Sequence, residues 1–180
     1  APFVIKANDL DLQNFTFGMS MLPTIDTLNL KMRHINLSDA QIDLGKNIVE
    51  WGRASMAGGD ITYLTPTAEY IKTHPAPPST PSTGPPMQIR GHEIEADSLR
   101  VLYAVKDAKP LPGFDASYIQ LENVSLGLRE FYNESSTVRL PITRLTGRER
   151  SGLHITHGEG TVAIDSIGLQ LQGLSIRTPY

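Results

Sequence analysis

Apolar residues in this chain fall at intervals of two and then slip by one. Ile119, Leu121, Val124 and Leu126 make two such pairs set three positions apart. The arrangement recurs at Leu10, Leu12, Phe15 and Phe17, at Leu30, Met32, Ile35 and Leu37, and at Ile94, Ala96, Leu99 and Val101. It returns at Val162, Ile164, Ile167 and Leu169, and once more at Leu169, Leu171, Leu174 and Ile176. Spacing of two is strand spacing, because successive side chains point to opposite faces. The extra residue would turn the second pair to the wrong face. A β-bulge that absorbs it and bends the strand keeps both pairs on one side. The pattern therefore predicts an all-β fold: a curled antiparallel sheet of repeated bent strands with one continuous apolar face. The bends are expected near Gln13-Asn14, Arg33-His34, Asp97-Ser98 and Glu122-Asn123.

Taken in order, the pattern predicts a strand over 2–8, a turn at Asn8-Asp9, a strand over 10–17 and a loop over 18–24. A long bent strand follows over 25–37, and Ser38-Asp39 begins a turn or a further corner. Gly45 to Asn47 read as a turn, 48–56 as a strand holding Trp51, Gly58-Gly59 as a break and 60–64 as a short strand. Thr65-Pro66 ahead of Glu69 and Lys72 fits either a brief capped helix or irregular structure. Residues 74–86, HPAPPSTPSTGPP, cannot join a ladder, because proline nitrogens carry no proton. They read as a surface excursion or linker, with PxxP-type recognition as the functional alternative. Downstream come a strand over 136–145, a turn at GRERSG, a strand over 153–156 and a turn at Gly158 to Gly160. Residues 161–178 close the chain in two overlapping copies of the motif.

After the Pro-rich stretch the sequence starts over. Residues 86–101 line up with 2–17, so that Ile5 matches Ile89, Leu10 matches Ile94 and Phe15 matches Leu99. Residues 114–126 line up with 25–37, so that Asp26 meets Asp115, Leu30 meets Ile119 and Ile35 meets Val124. A degenerate repeat of about 85 residues builds stacked units rather than one closed core. The expected organisation is a first β repeat over 1–73, the Pro-rich loop or linker over 74–86, and a second β repeat over 87–180. The second repeat is expected to continue the first in one elongated sheet.

Composition narrows what such a sheet could do. The 180 residues carry 19% charged side chains and a formal net charge of -3, which points away from nucleic acid as a partner. There is no cysteine, so disulfides and thiolate metal sites are excluded. No apolar run approaches the roughly 18 residues of a spanning helix. No initiator Met or signal-peptide pattern is present, and the chain reads as a piece of a longer one.

Candidate chemistry is sparse. His154 and His157 form HxxH, but on a β-like, Gly-flanked segment spacing three sends the rings to opposite faces, so they read as surface histidines. His34 and His92 stand alone in polar positions. Asp9, Asp11, Asp26, Asp39, Asp60 and Asp165 are scattered at turns and outward positions, and nothing pairs them across a cleft as glycoside hydrolysis requires. No phosphate loop, nucleophile elbow or zinc helix occurs. The Asn-x-Ser/Thr triplets at Asn14, Asn36, Asn123 and Asn133 read as chance products of a Ser- and Thr-rich β chain. Arg144, Arg148, Glu149 and Arg150 make a solvated mixed-charge turn. No catalytic residue, metal site or cofactor is expected.

The apolar face itself remains. Each Leu, Ile or Val buried in it contributes roughly 1.5–3 kcal/mol. A sheet with no helical cover must fold back on itself, pair with a copy, or hold something oily in an apolar trough.

Two stretches, LNLKMRHINLSDAQIDLG and RLTGRERSGLHITHGEGTVAIDSIGLQLQGLSIRTPY, resemble the periplasmic repeat region of the AsmA/TamB family. The second is the closer match. Glu149, Arg150, Ser151, Gly152 and Leu153 stand where that family has its turn, followed by Asp165-Ser166 and then Leu171, Gly173, Leu174, Thr178 and Pro179. The Pro-rich insertion departs from the family's plain repeat. The resemblance implies a large protein anchored in the inner membrane of Gram-negative bacteria, with elongated β-structure crossing the periplasm. It implies a curled sheet of the β-taco kind with an open hydrophobic groove. It also implies work in phospholipid transport to, or protein assembly in, the outer membrane.

The expected groove residues are Leu10, Leu12, Phe15, Phe17, Leu30, Met32, Ile35, Leu37, Leu99, Val101, Ile119, Leu121, Val124, Leu126, Ile164, Leu169, Leu171 and Leu174. The expected partners are phospholipid acyl chains or strands of unfolded outer-membrane proteins. A barrel partner in the outer membrane would be met by other parts of the longer chain. The expected place is the periplasm. The competing readings are a structural or adhesive β-solenoid with a dry core, hinted at by the five-residue step Leu30, Ile35, Ala40, and a carbohydrate-active β-domain.

Overall fold

The alternating pattern does form strands. The computed structural model describes residues 3–21, 26–74, 87–134, 137–165 and 168–179. In chain order it contains β1 (Val4–Met21), β2 (Asp26–Asp43), β3 (Ile48–Thr65), α1 (Ala68–Thr73), β4 (Gln88–Val105), β5 (Tyr118–Glu134), β6 (Thr137–Glu149), β7 (His154–Ile155), β8 (His157–Asp165) and β9 (Gly168–Arg177). The strands lie in one sheet in the order β1-β2-β3-β4-β5-β6-β8-β9, with β7 on β6. The sheet is curled and open, not closed into a barrel, so β1 and β9 are its edges.

Neighbours are antiparallel with one exception: β3 and β4 run parallel. The sheet is thus mostly antiparallel, as the pattern predicts, and this parallel pair is its one departure among the described strands. The cause is the connection. Parallel strands need a crossover of about a dozen residues or more, and α1 with the stretch after it supplies one.

The slip of one residue is a crease rather than a bulge across most of the sheet. Asn14, Gly58, Ser98 and Asn123 have φ of 52°, 62°, 58° and 52°. The registers set Asn14, Arg33, Gly58 and Ser98 side by side on β1 to β4, and each of those three strand pairs passes through without a shift. Each of these four strands spends one residue at the same line, so the sheet folds along it and both apolar pairs stay on one side. Of the expected bends, those at Asn14, Ser98 and Asn123 carry left-handed residues. At Arg33-His34, β2 crosses the same line with no left-handed residue. Gly58 stands at φ 62°, a backbone conformation that favours glycine, and the Arg33 guanidinium lies over it.

A second line runs through Asn8, Asp39, Gly52, His92 and Glu130, with φ of 54° at Asp39 and 55° at Glu130. It has the same spacing-three signature, in Trp51/Ala54, Gly91/Ile94 and Leu128/Phe131.

Local turn signals were overridden where a strand could bend instead. The turn expected at Asn8-Asp9 and the loop expected from Gly18 are strand up to Met21. The break expected at Gly58-Gly59 lies inside β3, and the turn expected at Gly158 to Gly160 lies inside β8. Asn and Gly tolerate left-handed backbone in a crease as readily as in a turn. Of the two readings of 65–72, the helix forms. Its cap is Thr67, whose side chain accepts from the Tyr70 amide at 3.1 Å, and not Thr65. The Pro-rich stretch lies outside the described residues from 75 onward.

Candidate functional site

One apolar strip crosses the sheet on a single face. Met32, Ile35, Ala96, Leu99 and Val124 are buried together at its centre, beside the first crease. Leu12, Phe15, Leu30, Leu37, Val101, Leu121 and Leu126 pack against them, as do Met56, Ile61 and Leu145. Through Leu37, Met56 and Leu126 the strip continues into a second cluster around Ala54, Ile94 and Leu128. Aromatic pairs stand at both ends along the strands. Trp51 stacks on Phe131 at 6.0 Å across Gly91, where any Cβ would strike the indole. Tyr63 stacks on Tyr103 at 6.1 Å, and its hydroxyl donates to Asp26 Oδ2 at 2.9 Å. Burial, then that bond to Asp26, pushes the Tyr63 hydroxyl up to about 12.

The remaining expected groove residues lie at the margins. Leu10 and Phe17 on β1 are 37% and 40% exposed, and Leu171 and Leu174 on β9 are 54% and 46% exposed. Ile119 is half-buried opposite Tyr103, outside the central cluster. Ile164 and Leu169 lie in β8 and β9, with side chains outside the described residues. The strip is thus packed on itself in the middle and open along both edge strands. Among the described residues α1 is the sole helix, and none of its residues is buried, so it covers no part of the strip.

The opposite face is polar and cross-linked strand to strand. His34 meets Asp11 at 2.7 Å, and Asn36 donates to Asp9 at 2.6 Å. Arg100 meets Asp60 at 2.5 Å, and Glu93 lies between Arg53 and Arg129 at 3.5 and 3.9 Å. Arg144 reaches over Gly127 to Glu95 at 2.7 Å. Exposed pairs of this kind add roughly 0–1 kcal/mol each; their larger effect is to keep that face wet. A cleft of about 1050 Å³ opens at the second crease, between the stacked Trp51 and Phe131 at the end of the strip and the charged Glu50, Arg90, Arg129 and Arg139.

The buried carboxylates build turns and ends. Asp43 accepts from the amides of Gly45 and Lys46, both at 3.0 Å. Glu149 accepts from the Ser151 amide at 2.6 Å. Burial alone would raise the Glu149 carboxyl, but its hydrogen bonds from Ser151 and Gln120 and the charge of Arg150 leave it below the usual value. Asp115 accepts from the Ser117 hydroxyl at 2.7 Å, the Ser117 amide at 2.9 Å and the Leu111 amide at 3.0 Å. The Ser117 hydroxyl, then these amides, hold Asp115 below its usual 3.8. A carboxyl depressed by folding stabilises the fold above its unfolded value and loses that contribution as pH falls through the folded one. Asp115→Asn is therefore expected to lower the melting temperature at neutral pH, with the gap to the parent chain closing below about pH 3.8. Melting curves of both chains from neutral pH to pH 2.5 check it, and a gap independent of pH would contradict it.

His154 and His157 fall on separate short strands, and His157 Nε2 lies 3.6 Å from Glu159. The second crease passes through Asp39, where the pattern offers a turn or a further corner; its run across the other strands is signalled by the spacing three of Trp51 and Ala54. Sequence reasoning missed the pair of aromatic stacks, which depend on residues two strands apart or on a parallel neighbour. No known protein family matches the chain, and no curated protein matches it.

Proposed function

We propose that this chain is a non-enzymatic periplasmic segment of a longer, inner-membrane-anchored protein of the AsmA/TamB kind. Its apolar strip shields phospholipid acyl chains, or strands of unfolded outer-membrane proteins, on their way to the outer membrane. The observation that carries this reading is the strip: continuous on one face, backed by a polar face, and open along β1 and β9. Acyl chains bind such a surface through area alone, without directional contacts. That suits transit.

A second reading, a structural sheet with a dry core, is favoured by the mutual burial of Met32, Leu99 and Val124. Native mass spectrometry separates the two. The chain, purified without detergent from cells with outer membranes, is expected to carry phospholipid adducts that Leu10→Asp and Leu174→Asp reduce. A lipid-free chain, or adducts indifferent to both changes, would favour the dry sheet.

A further inference from the structure

We infer that the polar face holds a site for a small soluble phosphate ester, with the phosphate seated between Arg90 on β4 and Arg139 on β6. The site lies in the cleft of about 1050 Å³ at the second crease. It stands whether or not the apolar strip carries lipid.

Strand register builds it. Gln41, Glu50, Arg90, Tyr132, Arg139 and Ala163 stand side by side in one row across β2, β3, β4, β5, β6 and β8. The two arginines flank Tyr132, with roughly 10 Å between their backbones, the width of two strand spacings. Neither forms an ion pair with a carboxylate among the described residues, and the row gives the reason. Arg139 has Tyr132 on one side and Ala163 on the other. Arg90 has Glu50 beside it, but Glu50 accepts from Gln41 at 3.0 Å, and Arg90 donates to the neutral Gln88 at 2.7 Å. The Tyr132 hydroxyl donates to Glu134 at 2.7 Å, so it offers no charge to either guanidinium.

The row across the crease shows what such a pair does with an anion. There Arg53 on β3 and Arg129 on β5 flank Glu93 on β4, whose carboxylate lies 3.5 and 3.9 Å from the two guanidiniums. Arg90 and Arg139 repeat that arrangement one strand over, with a phenol in place of the carboxylate. The anion that completes it must come from outside the chain.

The rest of the cleft sets the ligand's class. Guanidinium forks match phosphate oxygens two at a time. The volume is that of a small-molecule site and is far larger than a bare phosphate needs. Asp39 and Glu50 line the β2–β3 end, so a polyanion lying along the crease is disfavoured. The body of the ligand is therefore neutral or carries an amine. A sugar phosphate meets these terms.

Isothermal titration calorimetry of the chain with glucose 6-phosphate at low salt tests this. Arg90 and Arg139 are exposed, so Arg90→Gln and Arg139→Gln should leave circular dichroism unchanged. Each is expected to weaken binding roughly tenfold, the loss of a charged hydrogen bond. Arg100→Gln, which breaks a pair with Asp60 elsewhere on the polar face, should leave affinity unchanged. Inorganic phosphate should compete, and glucose should not. In the parent chain the ester should shift the NMR signals of the Tyr132 ring and leave those of the stacked Tyr63 and Tyr103 in place. Vesicles of phosphatidylethanolamine and phosphatidylglycerol should not be held through these arginines. No binding at millimolar ester, an equal loss in Arg100→Gln, or unmoved Tyr132 signals would overturn the inference. So would vesicle binding that Arg90→Gln and Arg139→Gln abolish, which would assign the pair to a lipid headgroup.

Discussion

Leu99→Ala is expected to lower stability by about 2–5 kcal/mol, the range for removing a buried leucine from a packed site. Leu99 is 1% exposed and is the largest fully buried side chain among the described residues. It follows the left-handed Ser98 directly, and it packs with Met32, Ile35, Ala96 and Val124 where the first crease brings the strip against itself. Urea unfolding of parent and variant measures the difference. Leu171→Ala, on the open edge, should cost less than about 1 kcal/mol. Similar small losses at both positions would mean that the centre of the strip is as open as its margins.

Leu121→Asp is expected to have the larger functional effect. Leu121 packs against the central cluster. A carboxylate there must take up a proton or draw water into the strip. Either way the surface no longer suits an acyl chain. Gln120→Asp, one residue along on the alternate face, leaves the strip untouched. In the full-length protein Leu121→Asp should abolish outer-membrane support and Gln120→Asp should retain it. Loss of fold would mimic loss of function, so Leu174→Asp belongs beside it: that residue is 46% exposed, and a charge there need not unfold the sheet. Normal outer membranes with folded Leu121→Asp protein would leave the sheet as a spacer whose apolar face is only packing.

The strands and their apolar face were legible because spacing two is unambiguous over so many copies. The extra residue marked where the sheet bends, at Asn14, Ser98 and Asn123. What the spacing could not reveal was that adjacent strands bend at the same line. A bulge needs a partner without the extra residue, and a crease needs a partner with one, so the answer lies in the neighbour. Asn8-Asp9 and Gly58-Gly59 misled for a related reason: the backbone they favour serves a hairpin turn and a crease equally. The parallel β3–β4 pair followed from the length of a connection whose ends, but not whose path, could be read. Within the strip, Leu12, Phe15, Leu30 and Val124 come together as their spacing implies. The openness of Leu10 and Leu171 follows from strand order, which single-strand patterns do not contain.

The central claim is that the apolar face meets lipid and the polar face does not. Photo-crosslinking amino acids at Ile119, Phe17 and Leu174, with Gln120 and Lys31 as controls, test it most directly in cells making the full-length protein. Phospholipid captured at Ile119, Phe17 and Leu174, and absent at Gln120 and Lys31, is the expected result. Equal capture on both faces, or none at any of the three apolar positions, would contradict it.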